Sequence, residues 1–263
     1  MTFEQFKVPL KFIYSCFLKP IGSHNDQRGR LDSFYEDQAE VYDATRGRLL
    51  RGRLTMLKLT ADQLRKQIIN TSRKPIWVDI GGGTGWNIEK MNEFFPIEQF
   101  EKVYLIDLCT PLCKIAESRF NAKGWNNVYV VCDDAASFKL PKMEDDIGKI
   151  DLVTMSYSSD FYVSGRVISS DIRVKQGYYC NWFTRWFWQI WFEFDHINLH
   201  PSRRNYVEHQ FNAIKCFNGR NHFLIPYLVQ IPYYIWLGTI KTSTSNSFEV
   251  SEHLDYTGSK PTF

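Results

Sequence analysis

Three things are scarce in this sequence: closely spaced cysteine pairs, long uninterrupted apolar runs, and an excess of one charge over the other. The six cysteines (Cys16, Cys109, Cys113, Cys132, Cys180 and Cys216) are scattered without a Cys-x-x-Cys pair in a chain too long to need covalent staples. That pattern argues for reduced thiols and against a disulfide framework. Cys109 and Cys113 are four apart and can share a helix face, yet no His or second Cys pair accompanies them at ligand spacing, so no metal is expected. Lys and Arg number 32 against 29 Asp and Glu, and a formal net charge of +3 does not by itself demand nucleic acid as a partner. The opening MTFEQFKVPLKFIYSCFLKP lacks the basic start and unbroken apolar stretch of a cleaved signal or a spanning helix, although it could still lie on a membrane surface.

What is present is a globular composition. With 44% hydrophobic and 23% charged residues over 263 positions, disorder and coiled coil are disfavoured, and one large domain or two small ones can form. Residues 1–30 are aromatic and apolar and close on Pro20, Gly22 and SHNDQRG, which reads as a boundary. Residues 31–70 carry a helical pattern. Asp32 or Ser33 can cap a first helix running through Tyr42, and Leu49, Leu50, Leu54, Leu57 and Leu64 recur at helical spacing in a second.

The period then changes. IWVDI (76–80) reads as a buried strand, GGGTG as a turn and NIEKMNEFF as an amphipathic helix. The grammar repeats with VYLIDL (103–108), PLCKIAESRF, VYVVCDD (128–134) and IDLVTMS (150–156). Strands alternating with helices predict a parallel, doubly wound α/β sheet of the Rossmann-like type. Downstream, RRNYVEHQF (203–211) and PYYIWLGTI (232–240) read as an antiparallel pair, and 241–263 as a disordered tail. The domain organisation expected is thus a membrane-proximal segment (1–30), a catalytic domain (31–240) and the tail.

In such a sheet a ligand binds beyond the carboxyl ends of the strands, where strand order reverses. At the first strand end, Asp79 is followed by Gly81, Gly82, Gly83 and Gly85, which let backbone approach a ligand without Cβ hindrance. The spacing is not Gly-x-Gly-x-x-Gly, and the Lys-Ser/Thr of a phosphate-binding loop is absent. Asp79, Ile80, Gly81, Gly83 and Gly85 resemble instead the D/E-x-G-x-G-x-G motif of class I S-adenosylmethionine-dependent methyltransferases. The resemblance implies that this turn holds the methionine end of the cofactor, that Asp107 and Leu108 at the second strand end serve the ribose, and that Asp134 and Ala135 at the third serve the adenine. Ser156, ending the fourth strand, joins this set. The alternative is that the three acids only cap the helices that follow them.

Four longer segments narrow the resemblance: DSFYEDQAEVYDATRGRLLRGR (32–53), VDIGGGTGWNIEKM (78–91), YLIDLCTPLCKIAE (104–117) and NWFTRWFWQIWFEFDHINL (181–199). Together they resemble the methyltransferase module of betaine-lipid synthases, which make diacylglyceryl-trimethylhomoserine. The resemblance implies N-methylation of the homoserine head group of diacylglyceryl-homoserine. It also implies an aminocarboxypropyl-transferase module, fused in fungal relatives, as a partner, and a peripheral position on the cytoplasmic face of the endoplasmic reticulum. Tyr42 and Arg46 resemble the residues that close over the cofactor, and Tyr35, Tyr42, Tyr157 and Trp182 are candidate aromatic faces for a cationic product. Tyr42 and Tyr157 are the catalytic candidates.

Two patterns bear on a membrane surface. Nine basic residues between 44 and 74 (Arg46, Arg48, Arg51, Arg53, Lys58, Arg65, Lys66, Arg73 and Lys74) face one acid, Asp62, and read either as a lipid-attracting patch or as a solvated helix face. Between 182 and 194, eight positions are Trp or Phe, which suits a membrane interface or an ordinary core equally. Against the resemblance, DFYVSGR follows Ser158 at once. The helix and most of the fifth strand found there in relatives are absent, and a parallel crossover ordinarily takes a dozen residues or more. The sheet is therefore expected to lack its fourth-to-fifth crossover, and a catalytically impaired, membrane-associated fragment is the second functional reading. RNA methylation is a third; no base-gripping Asn-Pro-Pro-Tyr follows the fourth strand, where Met155, Ser156, Tyr157 and Ser158 stand.

Overall fold

The computed structural model describes residues 27–36, 42–43, 50, 52–69, 73–141, 150–156, 167–171, 211–222, 230–240 and 253–255. Two helices precede the sheet, α1 (Gln27–Glu36) and α2 (Arg53–Ile68). Then come β1 (Ile76–Ile80), α3 (Trp86–Met91), β2 (Lys102–Asp107), α4 (Thr110–Ala122), β3 (Val128–Cys132) and β4 (Ile150–Ser156). Beyond these lie β5 (Val167–Asp171), β6 (Phe211–His222), β7 (Gln230–Ile240) and the short β8 (His253–Asp255).

The strands form one sheet in the order β3-β2-β1-β4-β5-β7-β6-β8. β1 pairs in parallel with both β2 and β4, so the order reverses between β1 and β4 and opens a crevice beyond their carboxyl ends. β7 runs antiparallel to β5 and β6. This is the class I methyltransferase topology that the sequence motifs imply.

All five residues of β1 are buried, as a strand covered on both faces requires. Its alternation divides the core in two. Trp77 points to the face where Met56, Leu57, Ala61 and Leu64 of α2 and Ile88 and Met91 of α3 pack. Ile76, Val78 and Ile80 point to the other, with Tyr104, Ile106, Val153 and Met155. Asp79 shares the Trp77 side, which decides its surroundings.

Several boundaries differ from the sequence reading. α1 starts at Gln27, so the boundary drawn at residue 30 falls inside a helix, and Asp32 caps a different helix, accepting a 2.8 Å hydrogen bond from the Thr110 amide. α3 stops at Met91, where Phe94 and Phe95 both donate back to the Met91 carbonyl and Pro96 bars continuation. The antiparallel partner of β7 is described over Phe211–His222; residues 203–210 of the expected strand lie outside the described residues. Within the stretch expected to be a disordered tail, His253–Asp255 pair in parallel with Cys216–Asn218.

The sheet also continues past β4. Val153–Ser156 pair in parallel with Val167–Ser170, although only residues 157–166 lie between the two strands. Four residues of pairing mean that the chain must return only about 10 Å along the strand direction, at about 3.3 Å per residue, well within the reach of ten residues. The full-length crossover that the sequence lacks is not required by so short a register.

Candidate cofactor and active site

The glycine turn is built by β1 and β2 together. The amides of Gly81 and Gly82 donate to the Ile106 carbonyl at 2.7 and 3.2 Å, and Gly85 donates to Gly82 at 3.0 Å. Gly81, Gly83 and Gly85 have φ of 65°, 56° and 77°, a left-handed conformation that favours glycine. The Gly83 amide donates to Asp107 Oδ2 at 2.8 Å, while Asp107 Oδ1 accepts the Cys109 amide at 2.9 Å. Asp107 therefore caps α4, as the bland alternative requires, but it also ties the glycine turn to the second strand end. Burial pushes its carboxyl above the usual range.

Asp79 sits beneath the turn and is fully buried. Its carboxylate accepts 2.5 Å from the Thr154 hydroxyl and 3.3 to 3.4 Å from the Asn87 amide; Thr154 in turn accepts from Trp77 Nε1 at 2.7 Å. Burial pushes its carboxyl up to about 7, against the opposing pull of Thr154, Asn87 and the Arg53 guanidinium. Its oxygens face Thr154 of β4 and Asn87 of α3, and it braces the turn from below. Ser156 belongs to the same buried group, accepting from Asn87 at 3.0 Å.

The third strand end is different. Asp134 Oδ1 accepts the Ala136 amide at 2.8 Å and its carbonyl accepts from Ser137 and Phe138, the arrangement of a turn cap. Ala135 packs against the Ile76 side of the core. Leu108 offers its carbonyl towards the Cys132 thiol at 4.0 Å.

Helix α1 lies across these strand ends. Arg28 Nη2 donates to the Cys132 carbonyl at 2.7 Å, Asp32 accepts from Thr110, and Tyr35 packs with Cys109 and Leu112. Tyr42 stacks edge-on against Tyr35 at 5.6 Å and stands 3.9 Å from the position a Cβ on Gly83 would take. The structure thus brings Tyr42, Gly83 and Asp107 together; Arg46, Tyr157, Trp182 and the whole Trp-rich segment lie outside the described residues. Arg28, Asn87, Thr154 and Thr84 were not singled out in the sequence, where no local spacing connects them to the motif. Burial pushes the Cys109 and Cys113 thiols up, so neither is a ready nucleophile.

Among the described residues, part of the basic cluster makes internal contacts. Arg53 is buried, its guanidinium 4.0 Å from the centre of the Trp86 ring. Arg73 pairs with Asp151 at 2.7 Å, and Lys74 donates to the Glu98 carbonyl at 2.8 Å. Arg73 and Lys74 precede β1, at the end of the sheet opposite the glycine turn. No helix among the described residues is long and apolar enough to cross a membrane.

Residues 78–168 match the family model of a methyltransferase domain. The CurJ carbon methyltransferase is similar in structure at 10% identity and a TM-score of 0.52, over 90% of this chain and 69% of that one. YcgJ of Bacillus subtilis gives 14% identity and a TM-score of 0.45 over 71% of this chain and 98% of that one. A methyltransferase dependent on S-adenosylmethionine from Aquifex aeolicus gives 12% and 0.42 over 77% and 97%. No curated protein matches the sequence.

The fold is of the class I methyltransferase type, and residues 78–168 match a methyltransferase domain. The residues present fit S-adenosylmethionine as the cofactor. A carboxylate has about four lone-pair positions, and the amides of Gly83 and Cys109 engage one on each Asp107 oxygen, which leaves acceptor capacity suited to a vicinal diol. A Cβ on Gly83 would meet no atom nearer than 3.9 Å, so the turn presents open backbone under a tyrosine roof. Replacing Asp107 by Ala removes both the acceptor and the tie to Gly83. Calorimetry should show S-adenosylmethionine affinity falling by about 1.5 to 3 kcal/mol, the range for a hydrogen bond to a charged group; an unchanged dissociation constant would leave Asp107 as a cap only.

Proposed function

We propose that this chain transfers methyl groups from S-adenosylmethionine to an amine, and that the acceptor is the homoserine head group of diacylglyceryl-homoserine in betaine-lipid biosynthesis. The observation that carries the methyl transfer is the tie between the Gly83 amide and Asp107 at the reversal of strand order, with Tyr42 above it. The acceptor rests on the sequence resemblance over residues 32–53 and 181–199. A membrane surface and the aminocarboxypropyl-transferase module are the partners of this reading, and the cytoplasmic face of the endoplasmic reticulum its place.

Methyl transfer to nitrogen needs a neutral amine held in line with the sulfonium methyl, and positioning supplies most of the rate. The bound cofactor supplies the electrophilic methyl group. The chain's own part is to fix the ribose end at Asp107, to leave Gly83 bare so that the ligand reaches backbone, and to exclude water with Tyr35 and Tyr42. Aromatic faces stabilise a cationic ammonium by about 0.5 to 2 kcal/mol each.

The test is to incubate the purified chain with methyl-labelled S-adenosylmethionine and detergent micelles of diacylglyceryl-homoserine. Label is expected in mono-, di- and trimethylated lipid. Cofactor binding without label in lipid would overturn the acceptor, and label in added RNA would favour the nucleic-acid reading.

A further inference from the structure

One cluster of charged side chains at the rim of the glycine turn plays no part in the site so far described. Asp43 follows Tyr42 directly, and its two carboxylate oxygens are divided between two elements. Oδ1 accepts a 2.6 Å hydrogen bond from the Thr84 hydroxyl, inside the glycine turn, and Oδ2 pairs with the Arg119 guanidinium on α4. Arg119 is itself held from the other side by Glu89 of α3 at 3.4 Å, and Glu89 also pairs with Lys123 at 2.8 Å. The Arg119 side chain is 18% exposed and that of Asp43 29%, so the group is partly desolvated. Arg119 Nη1 is buried with no hydrogen-bond partner. A guanidinium left partly unsatisfied is costly, so it is set in place by its remaining partners and not by a full set of its own.

Each contact of Asp43 therefore bears on where its neighbour stands. Tyr42 is the residue over Gly83, and the only residue of the glycine turn whose side chain carries a hydroxyl is Thr84, the one that Asp43 grips. We propose that Asp43, Thr84 and Arg119 form a latch of positioning residues that holds Tyr42 over the methionine end of the cofactor site. Release of a ligand lying on the turn then requires the latch to break. The inference rests on the cofactor reading above but adds residues that the glycine motif does not specify.

Two measurements test it. Calorimetry with S-adenosylhomocysteine should show Thr84→Val and Asp43→Asn binding about 10- to 100-fold more weakly, the loss that follows removal of a hydrogen bond to a charged group. Thr84→Ser, which keeps the hydroxyl, should bind like the parent. Hydrogen exchange on the ligand-free proteins should show faster exchange in the peptide containing Tyr42 and Asp43 in Thr84→Val, and unchanged exchange in β2. If a variant fails to fold, the other supplies the comparison. Affinity retained in both variants overturns the latch, as does equal acceleration in β2, which would mark a general structural role. If the parent itself does not bind S-adenosylhomocysteine, the cofactor reading fails, and the exchange arm alone decides whether the latch holds Tyr42.

Discussion

Gly85→Ala is expected to cost about 2 to 5 kcal/mol of stability. Gly85 has φ of 77°, and a side chain there incurs about 1 to 2 kcal/mol for the left-handed conformation. A Cβ would also lie 2.3 Å from Phe120 Cζ and 2.8 Å from Cε1, and Phe120 is a buried core ring with little freedom to withdraw. Overpacking of that kind adds about 1 to 3 kcal/mol. Gly83→Ala makes the control, because its φ of 56° carries the same conformational cost but nothing lies nearer than 3.9 Å. Urea unfolding of the two variants should therefore differ by the Phe120 term, with Gly85→Ala the weaker. Equal midpoints would mean that Phe120 moves aside freely. In binding the order reverses: a side chain on Gly83 occupies the open face of the turn, so Gly83→Val should abolish cofactor affinity while the fold survives.

Lowering the pH from about 8 to about 5 should stabilise the ligand-free protein. Burial raises the Asp79 carboxyl from 3.8 to about 7. The folded state therefore holds a proton that the unfolded state gives up between pH 4 and 7, and stability falls as pH rises through that window. Three units at 1.36 kcal/mol each set an upper scale of about 4 kcal/mol. Burial raises the Asp107 carboxyl in the same direction. Asp79→Asn should flatten most of it, since the new carbonyl still accepts from Thr154 and the new amide can find the Asn87 Oδ1, which is buried without a partner. Urea unfolding at pH 5, 6, 7 and 8 checks this; stability that rises with pH in the parent would show that Asp79 folds as a stabilised anion.

β1 and β4 were legible to the residue because period-two and fully apolar runs bounded by polar turns leave few alternatives for a short strand. The left-handed turn was legible because Gly81, Gly83 and Gly85 are the residues that such a backbone favours.

The sequence alone thus determined a strand, glycine turn and helix unit, its repetition, and acids at three strand ends, since each depends on neighbours within a few residues. Only the tertiary structure decided what those acids do. Asp79 meets Thr154 at a separation of 75 residues, Asp43 meets Thr84 at 41, and Arg28 meets Cys132 at 104. No local periodicity encodes such pairs. They follow from which face of the sheet each side chain takes and which helix is laid over it, and those depend on packing the whole core at once.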